Sequence, residues 1–171
     1  MLIKRGFTVI ELLIVIVVIG ILATVTFNSF AGMQAKAITA KRDADLTTYF
    51  KAILIARENT GKTLGQITNN YWSAGSCSAA PGSNTSNIEP KNLPKSSVCW
   101  TTYYDNIDKI SLAAGINLQG LKTGDGNGNP YVIDENEGET VSCNQDGLRY
   151  FLGDGTAATT SYRLIPRKYG C

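Results

Sequence analysis

An α+β fold is predicted by three features of this chain of 171 residues. From Leu12 to Ala35 no side chain is charged, which predicts a long apolar helix near the N-terminus. Leu46, Tyr49, Phe50, Ile53 and Leu54 then recur at three-to-four spacing, so the helix continues with one apolar face. Beyond Tyr131, short apolar segments alternate with turns rich in Gly, Asp and Asn, the pattern of a small antiparallel sheet that could pack on that face.

Taken in order, residues 1–6 form a short basic leader with Lys4 and Arg5, and residues 7–35 are the apolar helix. Residues 36–60 are its amphipathic half, with Lys41, Asp43, Asp45, Lys51 and Arg57 on the other faces. No helix breaker separates the halves, and Gly61 is a plausible stop, so one helix is expected from about Thr8 to Asn59. At 1.5 Å per residue it would extend roughly 75–80 Å. The remainder, residues 61–171, is expected to form an α+β head. It opens with a surface loop from Gln66 to Lys95, rich in Ser, Asn, Gly and Pro. Tyr103, Tyr104, Ile107, Ile110 and Ala114 mark a short helix closed by Gly115, with Ile116, Leu118 and Leu121 leading onward. Strands are expected at Tyr131 to Ile133, Thr140 to Cys143, Leu148 to Leu152 and Tyr162 to Ile165.

Composition narrows the function. The formal charge is +2, and losing a leader that contains Lys4 and Arg5 takes it to 0. No basic domain argues for nucleic acid as a dedicated ligand. The chain has no His, the commonest general base and zinc ligand, and shows no Gly-x-Ser-x-Gly elbow, phosphate-binding loop or Cys-x-x-Cys pair. A structural protein is expected rather than an enzyme. Its four cysteines, Cys77, Cys99, Cys143 and Cys171, all follow the apolar run. Basic residues ahead of the run keep the N-terminus cytoplasmic and send the head outward, where disulfides form. Four cysteines permit three pairings. Cys77 with Cys99 and Cys143 with Cys171 would each close a local loop, and free buried thiols are the alternative.

Glu11 is the most informative single residue, because an ionised carboxylate at bilayer depth costs about 2.5–3.5 kcal/mol or more and calls for a partner. An ordinary secretory signal does not usually hold such a residue in its core. A plain single-span anchor fits the length and leaves Glu11 unexplained. The run Lys4-Arg5-Gly6-Phe7-Thr8-Val9-Ile10-Glu11 resembles the class III signal of type IV prepilins and type II secretion pseudopilins, with basic residues, Gly, Phe, Thr and Glu at that family's spacing. The resemblance implies a pilin-like fold and a membrane peptidase, the prepilin peptidase, that cuts after Gly6 and methylates the new amine of Phe7. It also implies inner-membrane assembly machinery and a homopolymeric filament on the cell surface, into which Glu11 helps dock each subunit. A single-pass inner-membrane precursor would come first. Stacked apolar helices could then bury in the filament what lipid buried before, and Glu11 would pair with the α-amine of Phe7. A pseudopilin, or an exported binding domain that never polymerises, are the alternatives. Asn28 stands where many family members carry a Pro.

A second candidate site is the loop Asp125-Gly126-Asn127-Gly128-Asn129-Pro130-Tyr131. It resembles the Asp-Pro-Trp-Gly-x-Pro-Tyr segment of pseudopilins, with Gly126 and Asn127 replacing Pro and Trp. The turn Gly153-Asp154-Gly155 is similar to a second Asp-Gly turn of that group, whose neighbouring loops bind calcium. The resemblance thus offers Asp125 and Asp154 as calcium ligands, calcium being the one cofactor considered; a polar turn held by its own hydrogen bonds is the other reading. An EF-hand is rejected, because Pro130 and Asn136 occupy its required Gly and Glu positions. The acidic run from Asp134 to Glu139 could face Lys36, Lys41 and Arg42 of a neighbouring subunit or form a solvated loop. Trp72, Trp100, Tyr103 and Tyr104 are expected in the core or as loop anchors rather than as a ligand-stacking surface.

Overall fold

The computed structural model describes residues 7–69, 90–135, 145–151 and 163–167, without the side chains of 25–31 and 163. Helix α1 spans Val9–Thr60, within a residue of the expected limits at each end. It continues through Gly20, Asn28 and Gly32, consistent with the absence of any proline in this run. At its C-terminus Gly61 takes φ +70° and donates its N–H to the Arg57 carbonyl at 3.0 Å, a left-handed exit that glycine makes without a Cβ penalty. By compactness the chain divides between Thr39 and Ala40.

In the second unit, α1 contributes Leu46, Tyr49, Ala52, Ile53 and Ala56 to the core, and Phe50 and Leu54 pack partly buried against it. A short helix, α2 (Leu64–Thr68), follows at once. This corrects the expectation of loop from Gln66 onward. Thr63 and Gln66 form a reciprocal capping box, the Thr63 hydroxyl accepting from the Gln66 N–H while the Gln66 side chain accepts from the Thr63 N–H. A helix this short is marginal alone, and the burial of Leu64 and Thr68 supports it. Farther along, Pro90–Asn92 forms a 3-10 turn inside the same expected loop, and the Trp100 indole donates to the Pro90 carbonyl at 2.8 Å. Cys77 and Trp72 lie outside the described residues.

Helix α3 (Val98–Ala114) is longer than its apolar residues alone suggested and ends at Gly115 as expected, with φ +68°. It lays Trp100, Tyr103, Ile107 and Ile110 into the core. The Trp100 ring meets that of Tyr103 edge-on at 5.7 Å between centroids. Trp100 and Tyr103 therefore stand in the core as expected, and Tyr104 packs partly buried against the same cluster. A 3-10 turn, Gln119–Thr123, buries Leu121 and accepts the Tyr103 hydroxyl proton at the Leu121 carbonyl.

Three antiparallel strands complete the unit in the order β1 (Val132–Asp134), β2 (Gly147–Arg149), β3 (Arg163–Leu164). Ile133 stands opposite Leu148, and Leu148 opposite Arg163. Each strand is shorter than or offset from its expected limits, because pairing rather than local composition sets where a two- or three-residue strand begins. The expected strand from Thr140 to Cys143 lies outside the described residues. The α+β class stands, with a long N-terminal helix, further helices and a small antiparallel sheet.

Candidate functional site

At the N-terminal end of α1, Thr8 caps the helix: its hydroxyl accepts from the Glu11 N–H at 3.3 Å, and Glu11 Oε2 accepts from the Thr8 N–H at 2.8 Å. The Thr8 hydroxyl also donates to Glu11 Oε2 at 2.8 Å. Glu11 thus satisfies orphan donors of its own helix and lies near the positive end of the helix dipole. The Thr8-x-x-Glu11 spacing is a capping-box signature that could have been read from the sequence. Phe7 is 85% exposed. Gly6 lies outside the described residues.

Beyond Glu11 the large apolar side chains from Leu12 to Leu22 are exposed around the whole helix. A helix apolar on every side has no face suited to water and requires cover from lipid or from other apolar helices. Among the described residues no helix is long and apolar enough to cross a membrane.

The second candidate, the loop from Asp125, is closed by its own backbone: Asp125 N–H donates to the Asn129 carbonyl at 2.8 Å and Gly128 N–H to the Asp125 carbonyl at 2.9 Å. Asp125 is 4% exposed. Its Oδ1 accepts from the N–H groups of Asn127 and Asn129, each at 2.9 Å, and its Oδ2 accepts from Arg42 Nη2 at 2.9 Å. The Asn129 side-chain oxygen accepts from the Lys91 N–H at 3.1 Å. Gly124, at φ +78°, lets the chain turn into the loop.

These residues do not fit calcium, which takes 6–8 oxygens, because both Asp125 oxygens and the Asn129 oxygen already receive donors and a cationic side chain holds the position a metal would need. Asp154 lies outside the described residues. Among the described residues no three acidic or thiol side chains gather as a metal-binding group. The geometry is that of the other reading, a polar turn held by its own hydrogen bonds, with a buried ion pair added.

The acidic run departs from both of its readings over the two residues described. Asp134 pairs with Arg149 across the sheet, and Glu135 is buried and accepts from the Thr68 hydroxyl. Lys41 and Arg42, offered as partners for a neighbour's acidic loop, instead bind inside their own unit. Cys99 is disulfide-bonded; Cys77, Cys143 and Cys171, and with them the expected pairings, lie outside the described residues.

Residues 1–27 match the family model of the prokaryotic N-terminal methylation motif, the class III signal peptide of type IV pilins and pseudopilins. None of the curated proteins and none of the solved structures matches the chain.

Proposed function

We propose that this chain is a structural subunit of a type IV pilus or pilus-like filament, cut after Gly6 and polymerised through α1. The observation that carries the reading is the methylation motif over residues 1–27, joined to a helix whose opening stretch, to Leu22, is apolar on all sides and holds one carboxylate, Glu11. The motif implies a membrane-anchored precursor. The proposed course starts in the inner membrane with the N-terminus cytoplasmic, passes through prepilin peptidase and the assembly machinery, and ends in a surface filament. Each incoming helix would exchange lipid for neighbouring helices at little cost in apolar exposure.

In this scheme Glu11 gains a partner. Within one chain it caps the Thr8 N–H; in the filament it would also meet the free amine of Phe7, since a charge in an apolar setting is tolerated when paired and hydrogen-bonded.

Mass spectrometry of assembled material tests the reading: Phe7 as the N-terminal residue, carrying a methyl group, is expected. Intact Met1 would instead make the chain a plain anchor. A second arm replaces Glu11 with Leu. A filament subunit would still be cleaved but would accumulate in the inner membrane while sheared surface protein falls sharply. An anchor would insert as well or better, and its head would keep its function.

A further inference from the structure

We infer that Arg42, assisted by Lys41, supplies from within the chain the positive charge that orders the loop from Gly124 to Tyr131, so that the head needs no divalent cation there. The two side chains are consecutive on α1 and address consecutive residues of the loop. Lys41 Nζ donates to the Gly124 carbonyl at 2.7 Å and to Asp45 Oδ2 at 2.6 Å. Arg42 Nη2 donates to Asp125 Oδ2 at 2.9 Å, and its guanidinium lies over the Tyr150 ring, 4.1 Å from the centroid. The far end of the loop is tied to the same cluster, because the Tyr131 hydroxyl donates to Asp45 Oδ2 at 2.8 Å.

Charge and burial decide between this arrangement and a metal. Two cations face two carboxylates, so the cluster is already neutral, and a divalent ion would add two charges without a counterion. The Arg42 and Asp125 side chains are 11% and 1% exposed. A metal at Asp125 would have to displace Arg42 and leave a mostly buried guanidinium without its partner, the costly way to break a buried pair. Asp125 Oδ1 meanwhile fixes the turn through the Asn127 and Asn129 N–H groups. The chain of contacts runs from Arg42 to Asp125 to the backbone of the turn.

The test uses the full chain in detergent, melted by Trp fluorescence in calcium and in a chelator, with hydrogen exchange at Asn127 and Asn129 as the local readout. Wild type is expected to melt at the same temperature in both buffers. Arg42→Met, which keeps bulk and removes charge, is expected to melt about 5–15 °C lower. It should also exchange faster at Asn127 and Asn129 than at core amides of α3. Arg42→Lys should fall between the two. A wild-type melting temperature that drops on chelation overturns the inference, and that arm stands whether or not the Met variant folds. Unchanged relative exchange at Asn127 and Asn129 in Arg42→Met or Arg42→Lys overturns it as well.

Discussion

Gly124 shows how tightly single residues set the loop. Its φ is +78° with ψ at −171°, a region essentially restricted to glycine, and a Cβ there would lie 2.5 Å from the Asn129 carbonyl oxygen. The neighbour is backbone held by the Asp125 N–H, so it cannot swing aside. Gly124→Ala is expected to cost about 2–4 kcal/mol in denaturant unfolding. Gly61→Ala, with similar φ but nothing within 4 Å, should cost about 1 kcal/mol. Equal losses would mean that φ alone, and not the close approach, sets the penalty. Tyrosine burial gives a second expectation. Burial pushes the Tyr49, Tyr103 and Tyr131 hydroxyls above the ordinary tyrosine range, reinforced at Tyr131 by its hydrogen bond to Asp45. For a group whose folded pKa is raised, the stability is present below the unfolded value, about 10, and is lost as pH rises past it. Tyrosinate absorbance and Trp fluorescence, followed together through rising pH, should show these three ionising only as the head unfolds. Free titration of every tyrosine in a head that stays folded would contradict this.

Among the elements, α2 depends most on its cap. Thr63→Ala removes one half of the capping box and is expected to cost about 1 kcal/mol. Hydrogen exchange should quicken across Leu64 to Thr68 before the rest of the head. Equal protection there in the variant would show that packing alone holds the turn. This is the α-helix that the sequence pattern hides, as it hides the 3-10 turns: five residues cannot display a helical period, and the signal lies in Thr63 and Gln66, beside a stretch whose Ser, Asn and Pro content reads as loop. Helices α1 and α3 were legible because each repeats its apolar side chains over several turns and stops at a glycine, Gly61 or Gly115. The strands were legible as apolar segments but not as limits, since the pairing of Ile133 with Leu148 is a tertiary fact. The sites divide the same way. Glu11 was visible through local spacing, as Asp125 was; the pairing of Asp125 with Arg42 joins residues 83 apart, and no local pattern reports that.

On the scale of the whole chain, stability and assembly draw on different residues. The large apolar side chains from Phe7 to Leu22 are exposed, and the buried core of the second unit begins at Leu46. Among the described residues of the second unit, the large apolar side chains left exposed, Ile55, Val98, Leu112 and Leu164, are few enough to be ordinary surface. A chain that starts at Ala35 should therefore be soluble without detergent and unfold cooperatively, because it keeps the packed part of α1 and a turn of helix ahead of Lys41. That extra turn matters. A helix frays at its first residues, and its positive end disfavours nearby cations, so a start at Ala40 would weaken the contacts of Lys41 and Arg42. A start at Ala44 should go further: Asp45 and the apolar core of α1 remain, but both cations are gone, and Asp125 is left buried without its charged partner. The Ala44 chain is expected to melt about 5–15 °C below the Ala35 chain, with the loop from Gly124 to Tyr131 the first region to lose exchange protection. Aggregation of the Ala35 chain would show that the head depends on the apolar half of α1, and matching melts for the two chains would show that the stem cations do not stabilise it.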